Sequence, residues 1–210
     1  MAGIVPRVGI RLLAENSHAT ELRFSMLEIY QEKLRDLFAS TIDSKSLRIR
    51  EKNGCCTIEG LTELEFKTDA EFMKLLNAGL KKRVVGDHLM NAESSRSHLC
   101  CVLNIRQLRE GRRIKSKIHL IDLAGSEMVR KTDASGTRLQ EAKHINKSLS
   151  ALGNVIFALT TPQPTSATGS AVSMTKTEAL TKKVHIPYRD SKLTRILQDS
   201  LGGNSRIVLM

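Results

Sequence analysis

The sequence predicts an α/β fold, a mixed and mostly parallel sheet with helices on both faces. Three observations carry that expectation. Strand-like and helix-like segments alternate along the first part of the chain. Two apolar runs, Leu99 to Ile105 and Ile118 to Leu123, have the length of buried strands and are bounded by charged or turn residues. Apolar residues from Leu139 to Leu159 recur every three or four positions, the spacing of one helix face.

Taken in order, Pro6 suits the first turn of an opening helix whose Ile10, Leu12 and Leu13 supply apolar contacts. Phe24 to Tyr30 reads as a mostly apolar strand, and Gln31 to Phe38 as a charged amphipathic turn. Leu47 to Leu64 alternates apolar and polar residues around Asn53-Gly54, a hairpin signal. Asp69 is placed to cap a helix carrying Phe72, Leu75, Leu76, Leu80 and Val84 on one face. After the two buried strands, the helix through Leu139, Ala142, Ile145, Leu149, Leu152, Ile156 and Leu159 is stopped by Pro162. The stretch from Thr160 to Thr181 is rich in Ser and Thr and poor in large hydrophobes, which predicts a flexible surface loop. Helix character returns from Tyr188 through Leu201 and ends at Gly202-Gly203. A last strand is expected over Ile207 to Met210.

The 210 residues, 40% of them hydrophobic, are enough to bury a substantial core. A formal charge of +11 and a pI near 9.8 point to a polyanionic partner, whether nucleic acid, anionic lipid or an acidic protein polymer. The cysteines fall as two adjacent pairs, Cys55-Cys56 and Cys100-Cys101, a spacing that suits neither a metal site nor a secreted disulfide framework, so reduced and mostly buried thiols are expected. The six histidines are scattered without metal-ligand companions. No stretch has the length of a membrane span, and Arg7 and Arg11 interrupt any signal-like start, so a soluble intracellular protein is expected.

Two constellations carry chemistry. In Ile118 to Glu127 a buried strand ends in Asp122, followed by Leu123-Ala124-Gly125-Ser126-Glu127. A carboxylate at a strand's C-terminal edge can hold magnesium through water, and a glycine lets its N–H approach a terminal phosphate. In Asn91-Ala92-Glu93-Ser94-Ser95-Arg96-Ser97-His98, hydroxyls suited to magnesium or an attacking water lie beside a guanidinium able to pair with a carboxylate from another loop. Alone, each reads first as ordinary structure: a strand ending in a turn, and a polar, serine-rich cap.

A third string, Tyr188-Arg189-Asp190-Ser191-Lys192-Leu193-Thr194-Arg195 with Gln198 to Ser205, changes that balance. Together with Ile145-Asn146-Lys147-Ser148-Leu149, the three strings resemble, in order, switch I, switch II, the start of the relay helix and the microtubule-facing segment of the kinesin motor family. Leu27-Glu28-Ile29-Tyr30 and Ile4-Val5-Pro6-Arg7 resemble further segments of it. The resemblance covers nearly the whole chain. It implies a three-layer fold like that of P-loop NTPases, incomplete at both ends, with switch I at 91–98, switch II at 122–127, the relay helix at 139–159, an insertion at 160–184 and the microtubule-facing segment at 185–204.

The same resemblance implies ATP and Mg2+ as cofactors, microtubules as partner, with neither nucleic acid nor membrane, and a place on the cytoplasmic cytoskeleton. Ser94 and Ser95 would contact phosphate, water and magnesium, with Asn91 lining the nucleotide. Asp122 would hold the magnesium water shell, and Gly125 would sense the phosphate. Arg96 and Glu127 would pair across the switches, and Lys143, Lys147, Arg189, Lys192 and Arg195 would face tubulin.

Departures from the family pattern are Met128, Asp133 and the long 160–183 insertion. The largest is that no Gly-x-x-x-x-Gly-Lys-Ser/Thr occurs, so the chain looks like the C-terminal two-thirds of a motor domain that does not turn over ATP by itself. A nucleotide-independent microtubule-binding module, or an inactive motor remnant, is the alternative. A nucleic-acid-binding domain is disfavoured, since aromatics are 3% and no stacking platform appears.

Overall fold

The computed structural model describes residues 3–15, 20–39, 47–52, 55–90, 96–125, 137–161, 185–203 and 205–210. The central sheet runs β2 (Lys33–Asp36), β1 (Thr20–Tyr30), β6 (His98–Arg109), β7 (Arg112–Asp122), with β5 (Leu64–Glu65) also paired to β1. A separate hairpin is formed by β3 (Arg48–Lys52) and β4 (Cys55–Glu59), in the place the Asn53-Gly54 signal predicts.

Alternation along β1 and β6 divides the core in two, because successive side chains point to opposite faces. Leu22, Phe24 and Met26 of β1 join Leu99, Cys101, Leu103 and Ile105 of β6 on one face. There they are covered by α1 (Ile4–Glu15), through Val5, Val8, Leu12 and Leu13, and by α2 (Asp69–Met90), through Phe72 and Leu76. Leu27 and Ile29 join Cys100 and Val102 on the other, against Leu193, Ile196 and Leu197. That second face is covered by α3 (Thr137–Thr160), α4 (Lys192–Ile196), α5 (Gln198–Gly202) and the β3–β4 hairpin. The α/β class with helices on both faces therefore stands.

The strand directions differ from expectation: every pair among the described residues is antiparallel, not mostly parallel. Two of these pairs are set by two-residue turns. Gln31 and Glu32, with φ of 50° and 59°, join β1 to β2, and Glu110 and Gly111, with φ of 50° and 74°, join β6 to β7. Both turns place their central residues in the left-handed region, the geometry that matches the twist of a hairpin. The segment after Tyr30 is thus a paired strand rather than an amphipathic turn.

Three local expectations also change. The cap of α2 is Thr68, whose Oγ1 accepts the Glu71 N–H at 3.2 Å; Asp69 is the first helical residue. The buried stripe of α2 continues through Gly79 and Arg83, which leaves Leu80 and Val84 39% and 54% exposed. Gly79 sits against Met26, where a Cβ would clash with the sulfur, so glycine is what lets α2 approach β1. Residues 205–210 form no strand, and Val208, Leu209 and Met210 are exposed. No strand among the described residues pairs with them.

All four cysteines are free. Cys55 is exposed and the other three are buried. No helix among the described residues is long and apolar enough to cross a membrane. The Ser/Thr-rich loop lies almost wholly outside the described residues.

Candidate functional site

Antiparallel pairing of β6 with β7 sets Leu99 opposite Asp122, so the beginning of one strand and the end of the other meet at one edge. Asp122 projects there with its side chain 69% exposed, and its Oδ2 lies 3.2 Å from Arg83 Nη1. Arg83 itself is buried, reaching across from the last turns of α2. Its Nη2 donates to the Ser97 carbonyl at 3.2 Å, and its Nε lies 3.8 Å from Glu28 Oε1.

Glu28 is 1% exposed, an acid between Leu27 and Ile29 near the end of β1. Burying that charge is tolerable because three partners surround it. Ser97 Oγ donates to Oε1 at 2.6 Å, Arg35 Nη1 donates to Oε2 at 3.1 Å, and Arg83 stands behind. One network therefore joins β1, β2, α2, the residue before β6 and the end of β7.

His98 forms a second bridge. Its Nδ1 accepts the Ala124 N–H at 2.9 Å, and its Nε2 lies 2.8 Å from Ser148 Oγ on α3. Since Nδ1 accepts, the single proton of the neutral ring resides on Nε2 and is donated to Ser148. Burial drives the imidazole pKa down to about 4, Arg83 adds to the effect, and Asp122 opposes it. His119 behaves similarly, lowered to about 4 by burial and by Lys117, with its Nδ1 3.1 Å from Ser200 Oγ of α5.

On the face that carries the third string, α3 packs on α4 and on the 3₁₀ turn Tyr188–Asp190. Helix α4 is short and held by a reciprocal cap: Thr194 N–H donates to Ser191 Oγ at 3.0 Å and Ser191 N–H to Thr194 Oγ1 at 3.2 Å. Asp199 receives the Cys56 N–H on both carboxylate oxygens, at 2.9 and 2.8 Å, which docks the β3–β4 hairpin on α5.

Of the expected magnesium-nucleotide edge, the described residues hold the Asp122 side. The exposed Asp122 carboxylate can accept hydrogen bonds from the water shell of a divalent ion, while Arg83 fixes its position and offsets part of its charge. Among the described residues no group of three or more His, Cys, Asp or Glu is assembled that could hold a metal by itself.

A family model for the kinesin motor domain matches residues 1–210. The chain belongs to the kinesin motor domain family. It is 43% identical over its full length to kinesin-related protein 3 of Dictyostelium discoideum, of which it covers 16%. It is 44% identical over 99% of its length to kinesin-like protein KIN-1 of Arabidopsis thaliana, covering 43% of that protein. A solved fast kinesin, reported with implications for ATPase mechanism and interactions with microtubules, superposes with a TM-score of 0.78 at 41% identity over 97% of the chain and 54% of that structure. The motor domain of the Kar3-like kinesin from Ashbya gossypii gives 0.68 at 30% identity, over 97% of the chain and 58% of that structure. The chain thus spans less than half of these curated relatives and little more than half of the solved motors.

Of the sequence-predicted kinesin site, Asp122 ends β7 and Gly125 lies three residues beyond it, with Arg96 half-buried just before β6. Lys147 is exposed on α3, and Arg189 and Lys192 are exposed on the facing segment. Arg189 Nη2 lies 3.5 Å from Glu51 Oε2, and the Lys192 N–H donates to Glu32 at 2.7 Å. Arg195 is half-buried. Asn91, Ser94, Ser95 and Glu127 lie outside the described residues, as does the Lys143 side chain. Sequence reasoning missed Glu28, Arg83 and the bridging role of His98. Glu28 and Arg83 had a signal: each is a charge at a position where the apolar period demands burial.

Proposed function

We propose that this chain is the switch and microtubule-binding part of an ATP-hydrolysing microtubule motor. The observation that supports it most is the Arg83 bridge, which ties the exposed carboxylate of Asp122 to the main chain of Ser97 at the end of the switch I string. Two loops that must respond to one nucleotide are joined by a single buried cation.

In this reading Asn91, Ser94 and Ser95 line the phosphate side, Ser95 and Asp122 hold magnesium, the latter through water, and the Gly125 N–H faces the terminal phosphate. Magnesium, when bound, neutralises charge developing on the phosphate oxygens. Arg96 pairs with Glu127 to close the two switches. Lys143, Lys147, Arg189, Lys192 and Arg195 meet the acidic tubulin surface, placing the protein on cytoplasmic microtubules. The 210 residues alone do not hydrolyse ATP, because no phosphate-binding loop motif lies within them.

The test is microtubule co-sedimentation of a chain extended upstream through such a loop, with ADP and with a non-hydrolysable ATP analogue. A motor changes affinity between the two states. Equal affinity in both would instead identify a nucleotide-independent binding module.

A further inference from the structure

We propose that His98 is a positioning residue that links the Ala124–Gly125 backbone to α3 through Ser148, so that displacement of the phosphate-facing loop moves the microtubule-facing helix. The proposal rests on the motor reading given above and adds to it the residue that carries the motion.

The bridge is short, buried and directional. His98, Ala124 and Ser148 are 3%, 5% and 2% exposed, so water is not at hand to replace either bond if it breaks. An unpaired buried N–H or ring nitrogen costs free energy comparable to the bond itself. The imidazole is rigid, and with Nδ1 accepting and Nε2 donating it has no spare donor or acceptor to exchange. If the Ala124 peptide shifts toward a phosphate, the ring follows it or both hydrogen bonds of the bridge are lost.

Ser148 lies on the buried stripe of α3 that continues through Ala151 and Val155, while the next residue back, Lys147, is exposed. A helix moves as a unit, so a pull on Ser148 is felt at Lys147. Ala124 adjoins Gly125, whose N–H faces the terminal phosphate in the motor reading above. The path therefore runs from Gly125 through Ala124, His98 and Ser148 to Lys147, with no step longer than one residue or one hydrogen bond.

The experiment uses the upstream-extended motor and reads the ratio of microtubule affinities in the ATP-analogue and ADP states. Ser148→Ala removes the α3 end of the bridge. His98→Asn keeps an acceptor near the Nδ1 position for Ala124 but no longer reaches Ser148. Each is expected to lower the ratio by about tenfold, the equilibrium equivalent of one hydrogen bond, and the double variant by no more than either. Ser148→Thr keeps the hydroxyl and is expected to retain the parent ratio. A purely structural role would lower melting temperature and binding in both states together, without changing the ratio. An unchanged ratio in Ser148→Ala, in a variant that binds microtubules in both states, would overturn the proposal. A parent that shows no difference between the two states would overturn the motor reading and the proposal with it, and is seen before any variant is made.

Discussion

The guanidinium of Arg83 stands 3.2 Å from Asp122 Oδ2 while its Nε faces the buried Glu28, so one side chain compensates an internal carboxylate and fixes an external one. Removing it strands Glu28 with Arg35 as its remaining cation. Arg83→Ala in the extended motor is expected to lose about 3 kcal/mol of stability, the lower end of what breaking a buried pair removes. The double replacement Glu28→Gln with Arg83→Met should recover part of that loss, since neither charge is then buried alone. Urea denaturation midpoints check this, and additive losses in the double variant would count against the network.

The buried neutral histidine gives a pH dependence of known sign. His98 has its folded pKa lowered to about 4, from an ordinary value of 6.5. Between those values the unfolded chain binds the proton and the folded chain does not. Stability is therefore full above about pH 6.5 and falls progressively as pH drops toward 4. From pH 7 to pH 5 the loss attributable to His98 is about 2 kcal/mol. His119, shifted in the same direction, adds to the slope. Comparing unfolding free energies of the parent and His98→Gln at the two pH values isolates the contribution: the variant's slope should be shallower, and parallel slopes would contradict the assignment.

Docking of the β3–β4 hairpin depends on one carboxylate. Asp199→Ala leaves the Cys56 N–H without its partner, a loss of roughly 1–3 kcal/mol for a buried donor bonded to a charged acceptor. Hydrogen exchange should accelerate at residues 55–59 by tenfold or more, roughly what 1.4 kcal/mol of local opening energy gives. The central strand β1 should exchange at its parent rate. Unchanged exchange in the hairpin would mean that its contact with α5 is incidental.

On the proposed microtubule face the described side chains are not equivalent. Lys147 and Lys192 are exposed, whereas Arg189 already has Glu51 and Arg195 is half-buried. Charge reversal at Lys147 and Lys192 is expected to weaken co-sedimentation by roughly 1 kcal/mol per position, the size of an exposed contact in water. The effect should shrink as salt shortens the Debye length below about 10 Å. Binding insensitive to both reversals and to salt would place the contact elsewhere.

The long helix α3 and the β3–β4 hairpin were legible because each carries one local signal in sequence: a 3.6-residue period in the first, the Asn53-Gly54 dipeptide between alternating residues in the second. The strand β2 was not, because Gln31-Glu32 adopts left-handed geometry without glycine or asparagine, and Lys33-Leu34-Arg35-Asp36 is too charged to read as a strand. Sheet direction was misjudged for a related reason. The polar residues Arg106 to Lys117 look like a connection between two short strands, yet they are paired as the outer half of one long hairpin. Glu28, Arg83 and His98 come from three separate elements, and only tertiary packing shows that they enclose the end of β7. The switch strings were visible as strings, but their common edge follows from the register of Leu99 with Asp122.

Steady-state phosphate release tests the central claim most directly. The 210-residue chain and a chain extended upstream through a phosphate-binding loop are assayed with and without microtubules, after circular dichroism has established that both are folded. Four lost hydrogen bonds to charged phosphate oxygens would remove on the order of 6–12 kcal/mol before non-additivity, against a total of about 8 kcal/mol for a micromolar ligand. The expected result is hydrolysis by the extended chain that rises on adding microtubules, beside no release above background from the short one. Equal rates from the two chains, or an extended chain indifferent to microtubules, would contradict the account.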